Sequence, residues 1–317
     1  MKKFLIKIFI FLSPFIVVTL FFEVYLRIVN THYKEKLNGL YDNNDKIELL
    51  ILGNSHANYG INPKQINIES YNMAMVNQPL LHDYKILAKV IDSLPNLKAV
   101  VINLDYHSLY FSNQGIRENW VFYDYGIDTN IETAAKLSRF WIGYTPKVAF
   151  SMLKYDVKTY AYSLKNRNPT LNFKVEEGVS FTDTIYNGWL GYTGSKSKKF
   201  TTESIQNRAD IFNENITRKS ERFKNLIVFN SILKLLDKKN IRAYVITMPC
   251  HPKFRDMINE NVRQKDIKEI EKAIKGYNAI YIDFFDAINK EEFYYDSDHL
   301  NKQGATFFSK KLNSYIQ

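Results

Sequence analysis

The chain has 317 residues, 45% hydrophobic and 15% aromatic, and its low Gly and Pro counts exclude a disordered or fibrous polymer. Its formal net charge is +10, but the lysines are spread along the chain and no stretch has the pattern of a nucleic-acid module, so no nucleic-acid partner is expected. The single cysteine, Cys250, excludes an internal disulfide and a Cys-based zinc site.

Lys2, Lys3 and Lys7 lead into an apolar run that ends at Phe22. Counted from Phe4, this run is about 19 residues and spans roughly 28 Å as a helix, close to hydrocarbon thickness, and Pro14 within it is tolerated in a membrane helix. A cleaved signal peptide shares the basic start, but no small-x-small cleavage site follows, so an uncleaved anchor over 1–30 is expected. The early lysines place the N-terminus in the cytoplasm and the remaining chain outside it. Residues 31–46 are polar and read as a stalk. IELLIL at 47–52 is a buried strand running into Gly53. Ile86, Leu87, Val90, Ile91 and Leu94 form one helical face halted by Pro95, and LKAVVINL at 97–104 is a second buried strand.

The alternation resumes with an amphipathic helix over 223–236, a strand over 241–248, a helix around Ile267, Ile270 and Ile274 closed by Gly276, a strand over 279–284, and a last helix starting near Asn301. Strand–helix alternation predicts a parallel sheet. Between the halves, about 108–219 is aromatic-rich and poorly periodic. We read one α/β domain over 47–317 with that segment as a large insertion, and Asp183–Gly194 as a folded loop within it.

Two segments carry chemistry. Gly53-Asn54-Ser55-His56 follows a strand directly, where a turn exposes a serine hydroxyl at the carboxyl edge of a parallel sheet. Asp296-Ser297-Asp298-His299-Leu300-Asn301 precedes the last helix. A serine hydroxyl needs a base to take its proton, and the base needs a partner that fixes its tautomer. Asp and His on one tight turn supply both. Read blandly, Asp298 and Asn301 are turn and cap residues and His299 is surface decoration. No HxH or HExxH spacing occurs, and neither a metal nor a cofactor is expected.

GNSH after the first strand and DxxH before the last helix resemble the SGNH (GDSL-like) hydrolase family over about 47–106 and 220–317. The stretch YIDFFDAINKEEFYYDSDHLNKQGA, 281–305, and MPCHPKFRD, 248–256, look most like membrane-anchored surface-polysaccharide members, including those of teichoic-acid D-alanine transfer. The resemblance implies a three-layer α/β/α sandwich with a parallel sheet. It also implies Ser55 as nucleophile, His299 as general base and acid, and Asp296 as orienting carboxylate. The family's oxyanion glycine falls on Asn77, which tolerates left-handed geometry. Its asparagine falls on His107, and losing such a donor costs about 2.7–4 kcal/mol. His251 is expected to line the substrate cleft.

The implied activity is that of a serine esterase or O-acyltransferase adding or removing a small acyl group, acetyl foremost, on a cell-surface polysaccharide. A membrane acyltransferase is the partner implied if Ser55 receives its acyl group from another protein. The alternative is a non-catalytic assembly or glycan-binding subunit on the same fold.

Overall fold

The computed structural model describes residues 1–129, 131–165, 186–189, 191 and 201–316. They fall into two compact units, Met1–Glu35 with Gly115–Glu177, and Lys36–Gln114 with Gly178–Gln317.

The chain opens with α1 (Lys2–Ile28), exposed along most of its apolar length and buried only at Phe22, Tyr25 and Leu26. The stretch read as a stalk is mostly helix, α2 (His32–Asp42). It has polar residues because its polar groups are used internally. The Lys36 side chain is buried and donates to Asn58 Oδ1 (2.6 Å) and to the Ala74 carbonyl.

The α/β unit then alternates β1 (Leu49–Leu52), α3 (Ser55–Gly60), β2 (Ser70–Asn72), α4 (Leu80–Val90) and β3 (Ala99–Asn103). The excursion that follows contains α5 (Arg117–Tyr125), α6 (Thr133–Leu137), a π-helix over Arg139–Gly143 and α7 (Pro146–Lys165). Thus the middle of the expected insertion belongs to the unit that contains α1, not to the sheet. The α/β unit resumes with α8 (Thr202–Asn215), α9 (Lys219–Lys238), β4 (Arg242–Thr247), α10 (Pro252–Arg255), α11 (Glu260–Ala273), β5 (Ala279–Asp283) and α12 (Lys302–Asn313).

All strand pairs are parallel, in the order β2-β1-β3-β4-β5. The run Leu49–Leu52 is fully buried because both faces of the sheet are covered. Leu49 and Ile51 share one core with Ala57 of α3 and with Phe308 and Leu312 of α12. Leu50 and Leu52, also buried, point by strand alternation to the other face, where α4 and α9 pack against each other. Each fully buried Leu or Phe in these layers contributes about 1.5–3 kcal/mol. The unit is therefore an α/β/α sandwich.

Residues 186–189 are a turn against the edge strand. The Asn187 carbonyl accepts from Asn72 N–H (2.8 Å), and the Trp189 indole donates to the Tyr59 carbonyl (2.9 Å). Gly188 sits at φ +77°, and a Cβ there would stand 2.1 Å from the Asn72 carbonyl oxygen. The rest of the loop expected over 183–194, apart from Gly191, lies outside the described residues.

Candidate functional site

β1 lies between β2 and β3, the chain crossing to β2 on one side and returning to β3 on the other. The crevice at the carboxyl ends of β1 and β3 is where such sheets bind ligands. Gly53 makes the turn there at φ +140°, and a Cβ on it would be 2.5 Å from Asn103 Cβ. Asn54 caps α3 by accepting from His56 N–H (2.9 Å), so the first helical residue is Ser55.

The second loop is held by its own carboxylate. Asp296 Oδ1 accepts from the N–H groups of Asp298 (3.1 Å) and His299 (2.8 Å), folding the turn back on itself. The same carboxylate lies 2.9 Å from His299 Nδ1 through either oxygen. Asn301 then caps α12, accepting from Gly304 N–H at 2.9 Å. The result is that His299 Nε2 stands 2.8 Å from Ser55 Oγ, 244 positions away in the chain. With Nδ1–H facing a carboxylate, Nε2 is the ring nitrogen that can accept the serine proton. Ser55 is 7% exposed and His299 8%, so both side chains are nearly buried.

A second chain of charges runs beside this one. His56 Nδ1 lies 2.8 Å from Asp105 Oδ2, and its Nε2 lies 3.1 Å from Asp298 Oδ2. Arg208, from α8, donates to that same Asp298 oxygen from Nε (2.9 Å) and Nη2 (2.7 Å). Asp105 also accepts from Asn103 Nδ2 (2.8 Å), Asn54 Nδ2 (3.0 Å) and Met248 N–H (2.9 Å). Burial opposes charge on the His56 ring, yet the two carboxylates outweigh it and raise its pKa to about 10. Burial likewise works against an ionised Asp105, but His56 holds it down to about 2. Asp298 is held well below the usual carboxylate range against its own burial, by Arg208 first and then by His299 and His56.

Asp298 is therefore a buried ionic hub as well as a member of the turn. His56, Asp105 and Arg208 were not singled out in the sequence as a network. Their signal was weak: His56 follows the nucleophile, Asp105 sits after the third strand, and Arg208 lies in an aperiodic segment.

Of the remaining expected positions, His107 stays beside this cluster, its ring edge-on to that of His56 with centroids 5.6 Å apart. Asn77 is left-handed, at φ 53°, a backbone conformation that glycine adopts freely and asparagine tolerates. His107 stacks on Phe212 with ring centroids 4.1 Å apart, and its buried Nδ1 has no hydrogen-bond partner among the described residues. Burial, reinforced by His56, pushes the His107 ring down to about 3, so it is neutral at pH 7. His251 differs from expectation. Its side chain is fully buried, and Nδ1 accepts from Lys253 N–H (3.2 Å) at the start of α10, so it caps a helix.

His56, Asp298 and His299 bring one potential metal ligand each within 4.8 Å of one another. Their chemistry does not suit a cation. The Asp298 oxygen already carries a guanidinium, and a protonated His56 has no lone pair to give.

Serine, histidine and aspartate in hydrogen-bonding line at the carboxyl edge of a five-stranded parallel α/β/α sandwich are an arrangement consistent with the SGNH-like fold class. Residues 196–317 match the family model described as DltD protein, over the stretch that carries the DxxH segment. A solved Streptococcus pneumonia structure, provisionally described as a platelet activating factor, matches 90% of this chain and 92% of its own at 10% identity and a TM-score of 0.42. No curated protein matches the chain.

Proposed function

We propose that this protein is a membrane-anchored acyl-transfer enzyme. It forms an ester on Ser55 and passes a small acyl group to or from a cell-surface glycan. The observation that carries the reading is the 2.8 Å contact between Ser55 Oγ and His299 Nε2, with Asp296 on the far side of the ring. The DltD family serves D-alanylation of teichoic acids, an acyl-transfer process at the cell surface, and the match over 196–317 supports the substrate class. Residues 1–30 serve as anchor with the N-terminus cytoplasmic, the α/β unit lies outside, and a membrane acyltransferase is a partner of this arrangement.

In this mechanism His299 Nε2 takes the Ser55 proton as Oγ adds to the acyl carbonyl. Asp296 stabilises the imidazolium through Nδ1–H, and His299 returns the proton to the leaving alcohol or thiol. The acyl-serine is then opened by an acceptor hydroxyl whose proton follows the reverse path. Water as acceptor gives an esterase, and a sugar or polyol hydroxyl gives a transferase. The Ser55 N–H, in the first turn of α3, has no carbonyl partner within its helix and is the first oxyanion donor; Asn77 N–H is the second.

Quenching a reaction with p-nitrophenyl acetate, or with a D-alanyl thioester, in acid and sequencing the peptides tests this. The reading expects an acetyl or D-alanyl ester on Ser55, absent in Ser55→Ala. No ester from either donor, with p-nitrophenol released equally by both proteins, overturns it.

A second reading, a non-catalytic assembly or glycan-binding subunit, is favoured by one observation. The third oxyanion position holds His107, whose ring lies on Phe212. Glycan binding with unchanged affinity in Ser55→Ala, and no turnover in either protein, would select it.

A further inference from the structure

α1 leaves its exposed stretch in the company of a surface that continues it. Phe22 stacks on Phe140 of the π-helix with centroids 4.6 Å apart and meets Phe150 of α7 edge-on at 4.6 Å. Glu23 is hydrogen-bonded at the same level, accepting from Ser138 Oγ (2.6 Å), Arg139 N–H (3.2 Å) and Phe140 N–H (3.1 Å). The Trp141 indole donates to Thr19 Oγ1 (3.2 Å), within the apolar run itself. Everything that packs on this end of α1 thus sits at the end of its exposed apolar run.

That neighbourhood is apolar and uncovered. Leu137 is 78% exposed, Trp141 50% and Phe150 53%. On α7, Phe150, Val157 and Leu164 recur every seventh residue on one exposed face, while Ala149, Met152 and Asp156 are buried on another. Lys147, Lys154, Lys158 and Lys165 are all exposed and recur in register on a third face beside the apolar one. The helix contains no acid other than buried Asp156. An exposed apolar stripe flanked by a row of lysines is the pattern of a helix lying in a membrane interface, where aliphatic stems snorkel and ammonium groups reach anionic headgroups.

We propose that α7, with Leu137 and Trp141, lies flat in the leaflet from which α1 emerges. Its Phe150–Val157–Leu164 stripe enters the acyl boundary and its lysines contact anionic lipid. The occupant is lipid because the surface is continuous with the exposed part of α1. This rests on the reading of α1 as a membrane span, and the proposal makes the protein doubly attached, so that its depth is fixed.

The test places single cysteines at Phe11, Val157 or Leu164 in the full-length Cys250→Ser protein, labels them with an environment-sensitive fluorophore, and reconstitutes each in phosphatidylcholine–phosphatidylglycerol vesicles containing nitroxide lipid. Shallow nitroxide is expected to quench positions 157 and 164 about twofold or more, with iodide ineffective, and deep nitroxide to quench position 11. Replacing the four lysines with Gln is expected to lessen quenching at 157 and 164 with phosphatidylglycerol present and to change nothing in pure phosphatidylcholine. If iodide quenches 157 and 164 while lipid quenches position 11, the span stands and the interfacial helix is wrong. Shielding of 157 and 164 from both quenchers means that a protein covers the stripe, which also overturns the proposal. If lipid does not reach position 11, the span reading itself fails.

Discussion

At the scale of single residues, two carboxylates two positions apart have different work. Asp296 is partly open and bonds to its own loop and to His299, whereas Asp298 is buried between Arg208 and His56. Asp296→Asn should leave the fold intact and lower kcat by about 10⁴-fold, the effect of losing an orienting carboxylate, as steady-state kinetics would record. Asp298→Asn strands a guanidinium and an imidazolium. It should cost about 3–5 kcal/mol in urea unfolding, with loss of activity following loss of structure. Equal stability of the two variants would refute this division. Asp83 is a different case, buried and accepting from Gly53 N–H (3.0 Å) and Gln78 Nε2 (2.6 Å) without a cation. Burial raises its pKa to about 8. The folded protein therefore keeps a proton that the unfolded chain, at 3.8, has lost. Stability from this group is complete below pH 3.8 and falls as pH rises through about 8, by at most about 1.4 kcal/mol per unit. The Asp83→Asn variant keeps the acceptor and should lose that slope when stability is measured from pH 4 to 8.

At the scale of elements, local pattern found the strands and helices that bury continuous apolar runs. LLIL and AVVIN were legible because both sheet faces are covered, and the helices before and after β4 because their apolar residues recur at helical spacing. β2 carries no such apolar run. Its three residues, Ser70-Tyr71-Asn72, are polar because their side chains serve neighbours: Asn72 donates to the carbonyls of Ala57 and Ile61, at 2.9 Å each. α2 was missed for the same reason, its lysine and tyrosine being buried on partners that sequence does not display. The serine and histidine loops were legible as motifs, since a loop that must hold a side chain at a strand end uses residues with a local purpose. The ionic chain through Asp298 was not, because it joins four loops or helices from distant positions. Gly188→Ala tests the edge of the sheet. The added Cβ meets the Asn72 carbonyl and the φ of +77° resists a side chain, so Tm should fall and the β2 amides should exchange faster. An unchanged Tm would mean that the 186–189 turn does not brace β2.

At the scale of the whole chain, α1 is two things in succession. Its first residues are exposed apolar surface, and its last two turns are core, with Phe22 at 2% exposure and Leu26 at 1%. Removing residues 2–17 should give a protein that keeps its Tm in the absence of detergent. Removing residues 2–29 should lower it, because the packing of Phe140 and Phe150 against Phe22 is lost. Equal melting of the two would show that α1 contributes no core. The apolar run and its lysines were plain in the sequence. The shared core was not, because Phe22 reads the same in lipid as against another ring. The account stands or falls, however, on whether Ser55 is activated by His299. A fluorophosphonate probe applied to the full-length protein, with the adduct mapped by tandem mass spectrometry, measures that directly. The account predicts one adduct, on Ser55, formed much more slowly in His299→Ala. No adduct, or labelling of Ser55 at the same rate in both proteins, would contradict it.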